Sequence, residues 1–195
     1  TTIPIVFAVH SDPVATGDVA SLARPQGNAT GLSRQSMEIH AKILDYLVQA
    51  LPQTKKVARL RDYAETPDNR LLTEAFGRMA DALRVEVMDV PVRSLGELDA
   101  AFERIAKSGV DAVAQSPELL FFGDVGKTPR LALEHRLPLV TGSREYAAAG
   151  ALISYSANAA DMYRRSARYM DKILRGTKPG DLPVEQAERF DFVVN

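Results

Sequence analysis

The feature that most constrains this chain is an alternation. Short apolar runs rich in β-branched residues take turns, along almost the whole length, with stretches whose apolar residues recur at helical spacing. The strand-like runs are Pro4-Ile5-Val6-Phe7-Ala8-Val9, Lys56 to Leu60, Arg84 to Val92 with Pro91 interrupting it, Val110 to Ala114, Pro138 to Val140, Ala151 to Tyr155, and Phe190 to Val194. Between them, Met37, His40, Ile43, Leu44, Leu47, Val48 and Leu51 form a helical stripe that Pro52 stops. A second stripe starts at about Asp68 and carries Leu71, Leu72, Ala75, Phe76, Met79 and Leu83. Ser94-Leu95-Gly96-Glu97 has the form of a capping box, and the helix it opens ends at Gly109. Further helices are expected around Leu131 to Arg136, over Arg144 to Ala149, and from Asn158 to Leu174. Strands and helices alternating at this spacing predict an α/β fold, a parallel sheet with helices on both faces.

Two segments bear on how that sheet is divided. Asp12-Pro13 suits an N-cap followed by a first helical turn, so Val14 to Ala23 is predicted as a helix. Arg24-Pro25-Gln26-Gly27-Asn28-Ala29-Thr30-Gly31 is punctuated by Pro and Gly and is the best candidate for a crossing between domains.

If the strands are parallel, the turns after them converge on the carboxyl edge, where open α/β sheets bind ligands. Those turns carry Ser11, Asp12, Arg61, Asp62, Ser116, Glu118, Thr141, Ser143 and Arg144, with Ser154 in the strand nearby. Hydroxyls and charges in this density suit a small polar or zwitterionic ligand, whose ionised groups need hydrogen-bonded partners once out of water. Taken singly, each has a plainer role as a cap or a solvated loop residue. Asp12 serves equally as a helix cap, and Arg144 equally as the partner of a nearby acid. Tyr63, Phe121, Phe122, Tyr146 and Tyr155 lie close to the same turns and either wall a pocket or pack the core.

Other chemistries find no support. The chain has no cysteine, and His10, His40 and His135 are scattered without metal-ligand spacing, so neither a metal nor a cofactor is expected. Ser11 beside His10 would point to the opposite side of a strand, and no triad assembles. Gly123-Asp124-Val125-Gly126-Lys127-Thr128 lacks the first glycine of a phosphate loop, and Tyr169 and Lys172 are three apart rather than four. Lys and Arg number 24 against 25 Asp and Glu, which argues against a nucleic-acid partner, and the apolar runs are too short to span a membrane. The chain opens in one strand-like run and stops in another, and a fragment of a longer polypeptide is the expectation.

A resemblance extends over nearly the whole chain. It is carried by Pro4 to Ala8 with Asp12-Pro13-Val14, then Val19-Ala20-Ser21-Leu22-Ala23-Arg24-Pro25, Gly27-Asn28 and Thr30-Gly31-Leu32. It continues in His135-Arg136-Leu137-Pro138, Arg144-Glu145-Tyr146 with Gly150, Ser154-Tyr155, Tyr163-Arg164-Arg165 and Leu182-Pro183-Val184-Glu185-Gln186. In this order and spacing the sequence resembles the ABC-transporter substrate-binding protein family that includes the tryptophan-binding TrpX-like proteins.

The resemblance implies a type I periplasmic-binding-protein fold of two Rossmann-like parallel-sheet lobes, one largely complete here and the other partial. Residues 1–30 and 158–180 would be the partial first lobe, and 31–157 with 181–195 the second. It further implies a non-enzymatic protein that holds a small-molecule ligand in an interlobe cleft by hinge closure and delivers it to an ABC permease in the membrane. The location would be periplasmic or extracellular, with lipid anchoring through residues outside this chain. The expected ligand is an amino acid or another small carboxylate-bearing compound, aromatic ones included. The residues expected to bind it are Ser11 and Asp12 from the first lobe and Arg61, Asp62, Ser116, Thr141, Ser143, Arg144 and Ser154 from the second. Asp12 and Ser154 match the family pattern directly. Arg61-Asp62-Tyr63 stands where the family commonly has Trp-Asn-Pro, Thr141-Gly142-Ser143 replaces a more aromatic turn, and Ser156 replaces a glycine, so tryptophan does not carry over. A ligand-sensing domain of a transcriptional regulator and a doubly wound enzyme use the same architecture and are the alternatives.

Overall fold

The computed structural model describes residues 3–195. In chain order its strands are β1 (Ile5–His10), β2 (Ala29–Ser33), β3 (Lys56–Asp62), β4 (Glu86–Val92), β5 (Ala112–Gln115), β6 (Leu139–Thr141), β7 (Ile153–Ala157), β8 (Glu185–Gln186) and β9 (Phe190–Val194). The α-helices are α1 (Ser36–Ala50), α2 (Pro67–Leu83), α3 (Leu98–Lys107), α4 (Lys127–Glu134), α5 (Arg144–Ala148) and α6 (Ala159–Leu174). They divide into two compact units, one running to Ser36 and including Ala157–Phe190, the other comprising Met37–Ser156 and Asp191–Asn195.

The first unit is built on a three-stranded sheet in the order β1-β2-β8, parallel at both pairings. Leu32, Met162, Tyr169, Leu182 and Ala187 form its core, with Val6 and Val9 against them. Two backbone carbonyls are answered by side chains: the Thr30 hydroxyl donates to Leu182 O at 2.7 Å and the Tyr169 hydroxyl to Pro183 O at 2.6 Å. Helix α6 starts at its Asn158 N-cap, whose Oδ1 accepts from Asp161 N at 2.8 Å.

The segment after β1 departs from expectation, because Val14 to Ala23 is a series of turns rather than a helix. Asp12 Oδ1 does accept from Val14 N and Ala15 N, at 3.1 and 3.0 Å, so the cap forms. The helix fails beyond it because Thr16 turns its hydroxyl to Asp12 O and the Asp18 carboxylate, and Gly17 leaves the helical region at φ 81°. The division into units also differs from the lobe boundaries expected above. Residues 31–36 and 181–190 belong to the first unit, since β2 lies between β1 and β8 and Val184 N donates to Leu22 O at 2.7 Å. The Pro- and Gly-rich stretch therefore leads into a strand, and the chain leaves this unit after Ser36.

The second unit has a six-stranded sheet in the order β4-β3-β5-β6-β7-β9, parallel from β4 through β7. One face of it holds a core of Ala58, Leu60, Val90, Val92, Val113 and Leu139 under Leu98, Phe102, Ile105, Leu131 and Tyr146. Strand β4 runs through Pro91 without a break, which its position at the sheet edge permits because the missing N–H is not needed by a second neighbour. The capping box at Ser94 does not form as expected. Ser94 makes no side-chain cap, while the Glu97 carboxylate accepts from Arg93 N at 3.0 Å. The terminal run joins β7 as β9, where Phe192 meets Tyr46 at a ring separation of 4.8 Å.

Candidate functional site

The second unit's parallel sheet brings the ends of β3, β5 and β6 side by side, so Asp62, Ser116 to Glu118, and Thr141 to Ser143 share one carboxyl edge. Register then sorts these residues by face. Leu60, Gln115, Thr141 and Ser154 are aligned across four strands and therefore lie on the same side of the sheet, that of the Leu60 core. Thr141 and Ser154 are buried there, and the Ser154 hydroxyl has no hydrogen-bond partner. Tyr146 approaches Gln115, and burial raises its phenol to about 12.

Ser116 belongs to the other face. Its hydroxyl lies 3.2 Å from His40 Nε2, and His40 is fully buried on α1 with its ring 4.7 Å from Phe76. Burial, aided by the charge of Arg59, lowers the His40 imidazole to about 3, so it is neutral. On the same face Arg59, 3% exposed, makes two 2.7 Å bonds to both oxygens of Asp89, the residue opposite it on β4. Arg61 joins from two residues on, with Nε 3.2 Å from Asp89 Oδ2, and it also reaches Glu65 and Asp62 O.

The remaining expected residues have local partners. Asp62 Oδ1 accepts from Ala64 N at 2.9 Å, and the Ser143 hydroxyl donates to the Glu145 carboxylate. Arg144 is exposed and lies 3.8 Å from Asp191 on β9, the plainer role foreseen for it. Tyr63 is half exposed with the Arg93 guanidinium 3.8 Å over its ring, and Tyr146 and Tyr155 pack in the interior. In the first unit, Ser11 is buried and its carbonyl accepts from the Ser33 hydroxyl at 3.2 Å, while Asp12 caps the turn described above. His10 Nε2 lies 3.0 Å from Asp18 Oδ2, and the Thr16 hydroxyl and His10 together hold that carboxyl below its usual range.

Sequence reasoning named Glu118 only as one of a ring and passed over Arg59, Asp89 and His40 as site residues. The available signal was a lone arginine inside the apolar run Val57 to Leu60 and a lone aspartate inside Val87 to Val90. Glu118 is 7% exposed, and burial pushes its carboxyl up to about 8. Backbone N–H groups of Asp62 and Glu118 oppose that rise, as does Arg59, and the Asp62 charge adds to it. A carboxyl raised in the folded state contributes stability that is complete below its unfolded value of 4.5 and is lost as pH climbs through about 8. His40 acts oppositely, its contribution being lost as pH falls below 6.5 toward 3. Melting temperatures between pH 7.5 and 8.5, a unit or more above the unfolded value of His40, are therefore expected to fall for the wild type and to stay level for Glu118→Gln. Parallel slopes for the two proteins would refute this placement of Glu118.

Among the described residues no group of three or more His, Asp or Glu side chains is set to hold a metal ion, and no helix is long and apolar enough to cross a membrane.

A tyrosine-binding protein of Clostridioides difficile is 22% identical over 193 residues, 99% of this chain and 55% of that protein, so the chain spans about half the length of this curated relative. A conserved domain protein from Vibrio cholerae superposes with a TM-score of 0.90 at 23% identity, over 100% of this chain and 65% of the other. An ABC domain from Streptococcus pneumonia in complex with L-Trp gives a TM-score of 0.84 at 21% identity, over 98% and 65%. These superpositions establish the α/β type I periplasmic-binding-protein fold. The model of the family described as ABC transporter substrate binding protein matches residues 1–195, and the chain belongs to that family.

Proposed function

We propose that this chain is part of the solute-binding component of an ABC importer, and that its ligand is an amino acid or another small carboxylate-bearing compound, aromatic ones included. In this reading the solute is held at the carboxyl edges of the sheets, the lobes close on it, and the closed form is offered to a membrane permease outside the cytoplasm, with no bond broken. The observation that carries the reading is the alignment of β3, β5 and β6, which gathers Asp62, Ser116, Glu118, Thr141 and Ser143 on one edge. Family membership supports it, as do the tyrosine and L-Trp named for two relatives. Half-exposed Tyr63 and Phe122, both following strands at that edge, supply aromatic surface even though the chain has no tryptophan.

The test is a melting-temperature screen of the intact protein with amino acids and aromatic acids. A ligand at a hundred times its Kd adds about 2.7 kcal/mol to stability, which for a chain of this size raises Tm by roughly 5–10 °C. No shift with any of these compounds would sink the proposal. A shift that survives both Arg61→Ala and Asp62→Ala would remove β3 from the binding residues.

A further inference from the structure

Among the described residues Glu118 is the buried carboxyl whose second oxygen its surroundings leave unanswered. It stands three residues past β5 on the carboxyl edge, and its Oε2 has no hydrogen-bond partner. Among the described residues no ion pair includes it, whereas the two arginines of β3 are committed elsewhere. Arg59, the cation whose charge Glu118 senses, gives its fork to both oxygens of Asp89, and Arg61 is divided among Asp89, Glu65 and Asp62 O. Asp62, the other group facing Glu118, offers a backbone N–H but a like charge. A buried carboxyl oxygen without a partner is costly, and a native structure retains one where something else completes it. The complement that fits is a positive donor, since the acid already takes what backbone N–H groups nearby can give.

We infer that Glu118 receives the cationic group of the bound solute, so that this protein selects small molecules bearing an ammonium or a similar cation over those bearing a carboxylate alone. The inference rests on the proposed function and narrows it: Glu118 would be the residue that distinguishes an amino acid from the corresponding deaminated acid. A consequence concerns protons. Burial keeps the unliganded Glu118 carboxyl protonated up to about pH 8, and a cation placed against it favours the ionised form. Binding then releases a proton, and affinity rises as pH approaches 8.

Isothermal titration of the intact protein with L-tyrosine, L-tryptophan and L-leucine, each beside its deaminated acid, tests this at pH 6.5 and 8. Repeating the titrations in two buffers of different ionisation heat counts protons. The wild type is expected to prefer the amino acids and to release close to one proton at pH 6.5. Glu118→Gln preserves the side chain's shape; it is expected to lose roughly 30-fold or more in amino-acid affinity, to leave the deaminated acids within about threefold, and to abolish the proton release. A melting curve of the variant confirms that it is folded. A wild type that binds the deaminated acids as tightly as the amino acids would overturn this inference while leaving the proposed function standing. Unchanged affinity and proton release in Glu118→Gln would do the same. Binding of none of the six compounds, together with no melting shift in the wider screen, would overturn both.

Discussion

Gly31→Ala is expected to disrupt the first unit, with a loss of at least about 3 kcal/mol in unfolding free energy. Two independent effects add at this position. Gly31 has φ 150°, a backbone region that residues with a Cβ rarely adopt. The Cβ itself would sit 1.9 Å from the Phe7 carbonyl oxygen and 2.7 Å from a carbon of the Phe7 ring. Phe7 is the residue directly paired with Gly31 in the parallel ladder of β1 and β2, so no side-chain rotation relieves the clash. The strands must part, and Val6, Val9 and Leu32 lose packing with them. Gly17→Ala is the control: its φ of 81° is also unfavourable, but nothing lies within 4 Å of an added Cβ, so about 1 kcal/mol of strain is the whole expected cost. Urea unfolding of both variants, with amide hydrogen exchange on β1 and β2, separates the two. A Gly31→Ala protein as stable as the Gly17→Ala protein would contradict the close approach of β1 and β2.

The second large effect is expected for Asp89→Ala, which removes the carboxylate shared by Arg59 and Arg61. Arg59 is almost wholly buried, and without Asp89 its guanidinium loses its bidentate carboxylate and is left against the face of Phe76, 5.7 Å from its central carbon. Breaking a buried pair from one side costs about 3–5 kcal/mol because the other charge is stranded; the 40% exposure of Asp89 sets the expectation near the lower figure. Arg59→Met should cost much less, since the aspartate left behind keeps Arg61 and can be reached by water. In the double variant, Asp89→Ala should become nearly neutral on the Arg59→Met background, and chemical denaturation of the four proteins measures that coupling. Equal costs for the two single substitutions would show that Arg59 is not the buried member.

These two cases mark where sequence reading reaches and where it stops. The Asp12 cap was legible because its acceptor and donors are two and three residues apart, within reach of local rules. The helix expected after it was not realised, since the competing Thr16 and Asp18 contacts depend on how the turn closes. Helices α1 and α2 were legible from their stripes, and the stop at Pro52 from turn chemistry. Arg59 looked like an irregularity in an apolar strand because its partner is thirty positions away and meets it only through the register of β3 with β4. Gly31 looked like loop punctuation, and only β1 lying against it makes its hydrogen side chain indispensable. Thr141 and Ser116 looked equivalent, yet the sheet turns one toward the Leu60 core and the other toward His40.

By itself the sequence determined the alternation of elements, the parallel α/β class and the group of turns that share the carboxyl edge. Those properties follow from backbone periodicity, which is written in residues a few positions apart. Only the tertiary structure decided that Arg59 is buried against Asp89, that His40 is neutral, and that Glu118 keeps an unpaired oxygen. The physical reason is that charge, protonation and steric tolerance depend on how much water has been excluded and on which distant strand lies alongside. Neither quantity exists until the sheet has closed over its helices.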